Sequence, residues 1–164
     1  MSVFVVDSNF FIQAHRVVYP LDVVVSFWKV LGKLANDGII ISIDKVKNEI
    51  YQNNDELKTW CQEYLPDDFF RSTEESIEQY SKVVEWTMSR SGHFQQKAID
   101  EFMDSDEADA WIISYCLKHK YMLITHEVSE PGRKSKIKIP EPCNSLGVSY
   151  IDTIGMFRKL GIKF

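Results

Sequence analysis

The chain opens on a short apolar run, Ser2 to Val6, with almost no alternation between faces. Such a run suits a strand covered on both sides, as in a parallel sheet. Three more follow. Ile39 to Ile43 comes after the turn residues Asn36-Asp37-Gly38, Tyr121 to Thr125 after Lys118-His119-Lys120, and the short Val148 to Ile151 after Gly147. Between them the apolar positions recur at helical spacing. Leu21 to Ala35 places Val24, Phe27, Trp28, Leu31 and Leu34 on one face. Asp44 to Tyr64 reads as helix with a break at Asn53-Asn54, and Thr73 to Met88 and Phe94 to Met103 follow. Asp106 to Lys120 carries acids at its start and bases at its end, the sense that suits the helix dipole. Asp152 is placed to cap a last helix to about Leu160. Strands alternating with helices give βαβ units. The fold predicted is α/β, a three-layer α/β/α sandwich with a mainly parallel central sheet.

Composition narrows the class. The 164 residues are 45% hydrophobic, enough for a packed core without staples. No repeat, low-complexity tract or Pro/Gly-rich linker divides them, so residues 1–164 read as one domain. No apolar run is long enough for a membrane helix, and the N-terminus lacks the basic start and cleavage site of a secretory signal. The expected compartment is the cytoplasm. Cys61, Cys116 and Cys143 are odd in number and far apart, which speaks against a disulfide framework or a zinc knuckle. No phosphate-binding glycine motif occurs. The net charge is −5, so a nucleic-acid partner would need a local basic patch or bound cations.

In a parallel α/β sheet the working site lies off the carboxyl ends of the strands. Four segments present an acid there. The first strand ends in Asp7, followed by Ser8 and Asn9. Glu49 lies about one and a half turns into the helix after the second strand. Asp109 follows Asp106 and Glu107 at a helix start, and Glu127 comes just after Thr125 and His126. Each acid alone has an ordinary explanation as a helix cap, a dipole partner or a solvated side chain. Their joint placement points to a site for hard divalent cations, which prefer carboxylate oxygens. Such ions, singly or in pairs, clamp a phosphodiester and activate water.

The ordered set VVDSNFFI, KVKNEIY, DEADAWIISYC and LITHE resembles the PIN-domain nucleases. The tail KIKIPEPCNSLGVSYID further resembles a bacterial subgroup of PIN-like proteins, the DUF4411 type. The resemblance covers nearly the whole chain. It implies a metal-dependent endoribonuclease in which Asp7, Glu49, Asp109 and Glu127 are catalytic and, with Asp106 as a fifth acid, hold one or two Mg²⁺ or Mn²⁺ ions. Ser8, Asn9 and Thr125 would orient the substrate. The fourth acid is usually Asp in the wider family; Glu127 is one methylene longer. The basic segment Arg133, Lys134, Lys136 and Lys138 would follow the phosphate backbone, the alternative being a solvated loop and edge strand. Tyr80, Trp86 and Phe94 would stack bases or pack in the core. Small stand-alone members are often VapC-like toxins, so the implied partners are RNA, an antitoxin protein and a second copy of the chain. The Trp60 to Leu65 and Trp86 regions are the candidate contact surfaces.

The main rival is a non-catalytic module of the same fold that binds RNA or protein. A haloacid-dehalogenase-type phosphatase would need an acid where Asn9 stands. A receiver domain would need a lysine near the last strand that is not evident.

Overall fold

The computed structural model describes residues 2–164. Its sheet contains β1 (Phe4–Val6), β2 (Ile40–Ile43), β3 (Phe70–Arg71), β4 (Met122–Ile124) and β5 (Tyr150–Ile151), in the order β3-β2-β1-β4-β5. Every pairing is parallel, with Phe4 of β1 opposite both Ile40 and Met122. All residues of β1 and β2 are buried. That is why these runs do not alternate: helices cover both faces. The architecture is the expected α/β/α arrangement.

Helices fill the connections: α1 (Ser8–Gln13), continued by a wider π turn over Ala14–Val18, α2 (Val25–Asn36), α3 (Asp44–Tyr51), α4 (Glu56–Tyr64), α5 (Ile77–Ser89), α6 (Gln96–Phe102), α7 (Asp109–His119), α8 (Pro140–Leu146) and α9 (Thr153–Leu160). Polar side chains set several boundaries. Asp55 accepts the Lys58 N–H at 3.1 Å and starts α4, which divides the 44–64 segment. Asp152 caps α9 through the Gly155 N–H at 2.7 Å, as expected. Four helices begin later than the periodicity implies, α5 at Ile77 rather than Thr73 and α6 at Gln96 rather than Phe94 among them. Val23 and Val24 donate to the Pro20 carbonyl in a turn, and Val24 is non-helical, so α2 starts at Val25 rather than Leu21. Asp104 accepts the Asp106 N–H on its side chain at 2.9 Å and the Glu107 N–H on its carbonyl at 3.0 Å. That local turn competes with helix, and α7 starts at Asp109 instead of Asp106.

Two elements lay below the resolution of the pattern. β3 is two residues long, and Asp44 fixes its neighbourhood by accepting the Thr73 N–H at 3.1 Å and the Thr73 hydroxyl at 2.9 Å. α8 begins at Pro140, whose fixed φ suits a first helical turn.

The buried apolar residues form one cluster, with Phe10, Phe11, Phe27, Phe69, Ile112 and Ile113 among the fully enclosed. All three cysteines are free and buried. Among the described residues no helix is long and apolar enough to cross a membrane. The chain runs from β1 outward to β2 and β3, then crosses to β4 and β5 on the other side. The connections leaving β1 and β4 therefore diverge, and a crevice opens at their carboxyl ends.

Candidate metal centre

Asp7 stands at that crevice. It follows β1 directly and caps α1, its Oδ1 accepting the Phe10 N–H at 2.9 Å. It is 3% exposed. Burial pushes its carboxyl up to about 7, against the lowering effect of the Phe10 N–H and of a hydrogen bond from the Thr125 hydroxyl; the charges of Glu127 and Glu49 add to the rise. The ordinary reading of Asp7 as a helix cap is thus correct and incomplete. A cap needs no such burial.

Asp109, half-buried, opens α7, and its carboxyl is pushed up to about 8. Burial leads, followed by the charges of Glu127, Asp7 and Glu49, with Lys136 acting in the opposite sense. Glu49 reaches across from α3 and accepts the Ala108 N–H at 3.1 Å, which ties α3 to the start of α7. Glu127 follows β4. Its Oε2 accepts the Ile139 N–H at 2.7 Å and its Oε1 lies 3.4 Å from the Lys136 ammonium. The four acids, separated by up to 120 positions in sequence, lie within electrostatic reach of one another.

They do not form a ready-made cage. Among the described residues no three His, Cys, Asp or Glu side chains converge closely enough to hold an ion as they stand. Mutual repulsion of like charges favours that spacing. The donor chemistry nevertheless fits a hard divalent ion: the cluster offers carboxylate oxygens and no sulfur. A cavity of about 260 Å³ opens beside Asp109, lined by Glu101, Phe102, Glu107 and Lys136 among others.

The remaining sequence candidates divide. Ser8 is half-buried and Asn9 exposed, next to Asp7 and with side chains unengaged by any hydrogen bond among the described residues. Thr125 is 2% exposed, and its hydroxyl is engaged within the protein. Its hydroxyl bridges within the protein, bonding to Asp7 and accepting the Glu127 N–H at 3.1 Å. Asp106 sits in the exposed turn before α7, where its charge acts on Glu107. His126 points away to Thr153, 3.1 Å from its hydroxyl.

The basic segment does not form a stripe, and it is a loop rather than an edge strand. Arg133 and Lys138 pair with Glu130, Lys134 is exposed, and Lys136 turns inward to Glu127. Phe94 is buried, and Tyr80 stacks on Trp111 at 4.0 Å, so neither ring is open for a base. Trp60 is 7% exposed and packs on Trp28; of its segment, Tyr64 is the exposed ring.

Sequence reasoning passed over Glu141. It is 6% exposed, and its Oε1 accepts the Ser129 hydroxyl at 2.6 Å and the Glu130 N–H at 2.9 Å. With the Glu127–Ile139 bond it closes the loop 127–141 reciprocally. The acid between two prolines, Pro140-Glu141-Pro142, was the available signal.

Residues 4–164 match the family described as "Domain of unknown function (DUF4411)", and the chain belongs to that family. Among curated proteins no match is found.

Proposed function

We propose that this DUF4411 protein is a metal-dependent nuclease in which Asp7, Glu49, Asp109 and Glu127 hold Mg²⁺ or Mn²⁺ for the hydrolysis of RNA phosphodiester bonds. The observation that supports this best is the pair Asp7 and Asp109. Two carboxylates with raised proton affinity lie together with two further acids, and the Lys136 ammonium acts on Asp109 in the opposite sense. Gathering like charges out of water is unfavourable unless something offsets it. A divalent ion would, and it would supply Lewis-acid activation of water and charge neutralisation at phosphorus.

The protein's own groups supply the framework. Thr125 fixes Asp7 and Glu127 relative to each other, and the Ala108 N–H fixes Glu49. Glu127 accepts the Ile139 N–H with one oxygen, and its other oxygen lies beside Lys136. Ser8 and Asn9 offer a hydroxyl and an amide beside Asp7 for a phosphate oxygen. In this reading Asp106 is not a ligand. The choice of RNA, and of a toxin's role with an antitoxin partner, rests on the PIN-domain resemblance of the motifs.

The test is cleavage of a mixed single-stranded RNA pool by wild type and Asp109→Asn, each with Mn²⁺ and with EDTA. Cleavage by wild type with metal alone is the expected result. Equal cleavage in EDTA or by Asp109→Asn would sink the proposal. No cleavage in any lane would favour the non-catalytic binding module.

A further inference from the structure

Of the four bases after the fourth acid, three are accounted for without a ligand. Lys138 lies 2.7 Å and Arg133 3.6 Å from Glu130, and Lys134 is exposed while its carbonyl accepts the Gln95 N–H at 2.9 Å. Lys136 differs. It lies 3.4 Å from Glu127 Oε1, is close enough to Asp109 to act on its charge, and lines the cavity beside it.

Glu127 does not depend on that contact. Its Oε2 already has a short bond to the Ile139 N–H, and the Lys136 side chain is 45% exposed at a long ion-pair distance. A pair of that kind contributes little to stability and exchanges partners easily. The loop is also held without it, by Glu141 on Ser129 and Glu130 and by Gln95 on Lys134. The fold thus presents a loosely tethered ammonium at a cluster of acids, with Glu101 and Glu107 on the same cavity wall.

We propose that Lys136 is a catalytic residue, not one of a row of backbone contacts: its ammonium contacts the non-bridging oxygens of the phosphate undergoing hydrolysis. This rests on the nuclease reading above. A phosphate brought into this acidic crevice meets carboxylates on several sides. An ammonium carries three donors that can turn from Glu127 to an incoming anion. Charge on the non-bridging oxygens is then met by a group already in place, where such stabilisation acts on the rate.

The test uses the full chain with Lys136→Gln and Lys136→Arg. Lys136→Gln should lower kcat for RNA cleavage in Mn²⁺ by about 10²–10³-fold, the usual effect of losing one such donor. Lys136→Arg should recover part of the loss. The Mn²⁺ dissociation constant, measured by calorimetry at pH 9 without RNA, should be unchanged or tighter, and the thermal midpoint should hold. Wild-type kcat in Lys136→Gln, or an unchanged kcat with raised KM and a shallower salt dependence, would overturn the proposal in favour of an idle or a tracking lysine. A joint loss of Mn²⁺ affinity and thermal stability would make Lys136 a structural tether. If wild type itself fails to cleave, the nuclease reading falls and the role of Lys136 falls with it.

Discussion

The loop from Glu127 to Glu141 and the strand ends beside it both carry carboxylates, and they treat them in opposite ways. In the loop each acid has donors of its own. Glu141 takes a hydroxyl and an N–H, Glu130 takes Lys138 and Arg133, and Glu127 takes the Ile139 N–H. These bonds close the loop. At the strand ends Asp7 has an N–H and a hydroxyl but no paired cation, and Asp109 accepts no hydrogen bond among the described residues. Acids with donors of their own close the loop, although the second oxygen of Glu141 is buried without a partner among the described residues; shielded acids short of counter-charge are unfavourable in themselves, and such groups concentrate at functional sites. The contrast separates the acids whose bonds close the loop from those left short of counter-charge beside it, with Glu127 at the junction of the two.

The largest effect should come from removing one shielded charge. Asp7→Asn should abolish RNA cleavage, because it removes an anionic ligand. The cap survives, since Asn caps about as well as Asp. Circular dichroism should therefore show an intact fold, more stable than wild type at pH 8 without divalent metal. An unfolded Asp7→Asn protein would return Asp7 to a purely structural role and erase the contrast.

Next comes a pH dependence. Asp7 and Asp109 titrate near 7 and 8 in the fold, against 3.8 when free. The folded state therefore holds protons that the unfolded state has released between about pH 4 and 8. Stability should fall as pH rises through that window, by an amount on the order of a few kcal/mol for the coupled pair. Urea unfolding at several pH values in EDTA measures it. Asp109→Asn should flatten the slope, and Mn²⁺ at pH 8 should restore stability by mass action. A slope that is flat in wild type would mean the two acids are better compensated than their surroundings indicate.

In the loop the effects should be smaller and independent of metal. Glu141→Ala removes the acceptor of two part-buried bonds, from the Ser129 hydroxyl and the Glu130 N–H, and should cost about 1–3 kcal/mol in urea unfolding. The same loss with and without Mn²⁺ is expected. A loss seen only with Mn²⁺ would move Glu141 into the site. Smallest of all, Lys138→Gln removes one partner of the exposed Glu130. The unfolding midpoint should barely move, as for most surface ion pairs.

Much of this was legible in the chain. The unalternating runs at Ser2 to Val6 and Ile39 to Ile43 announce buried parallel strands, because a strand covered on both faces has no polar side. Strand ends then point to Asp7 and Glu127, whereas Glu49 and Asp109 have ordinary helix readings and are singled out with them by joint placement and by the PIN-domain resemblance. Boundaries were less legible. The start of α7 depends on Asp104 winning two N–H groups, a competition that periodicity does not register. Thr125 looked like a substrate contact because it neighbours the site in sequence; only its burial shows that its hydroxyl is already taken.

The basic segment shows the limit most directly. The sequence presents Arg133, Lys134, Lys136 and Lys138 as one group, and pairing splits it into three separate fates. By itself the sequence determined the layers, the strand direction and which acids stand at the carboxyl edge, because these follow from local period and from the handedness of βαβ units. Tertiary structure alone decided which charges are shielded, which have partners and which lysine faces the acids. Desolvation and pairing depend on neighbours brought from far along the chain, and no local pattern encodes their distance.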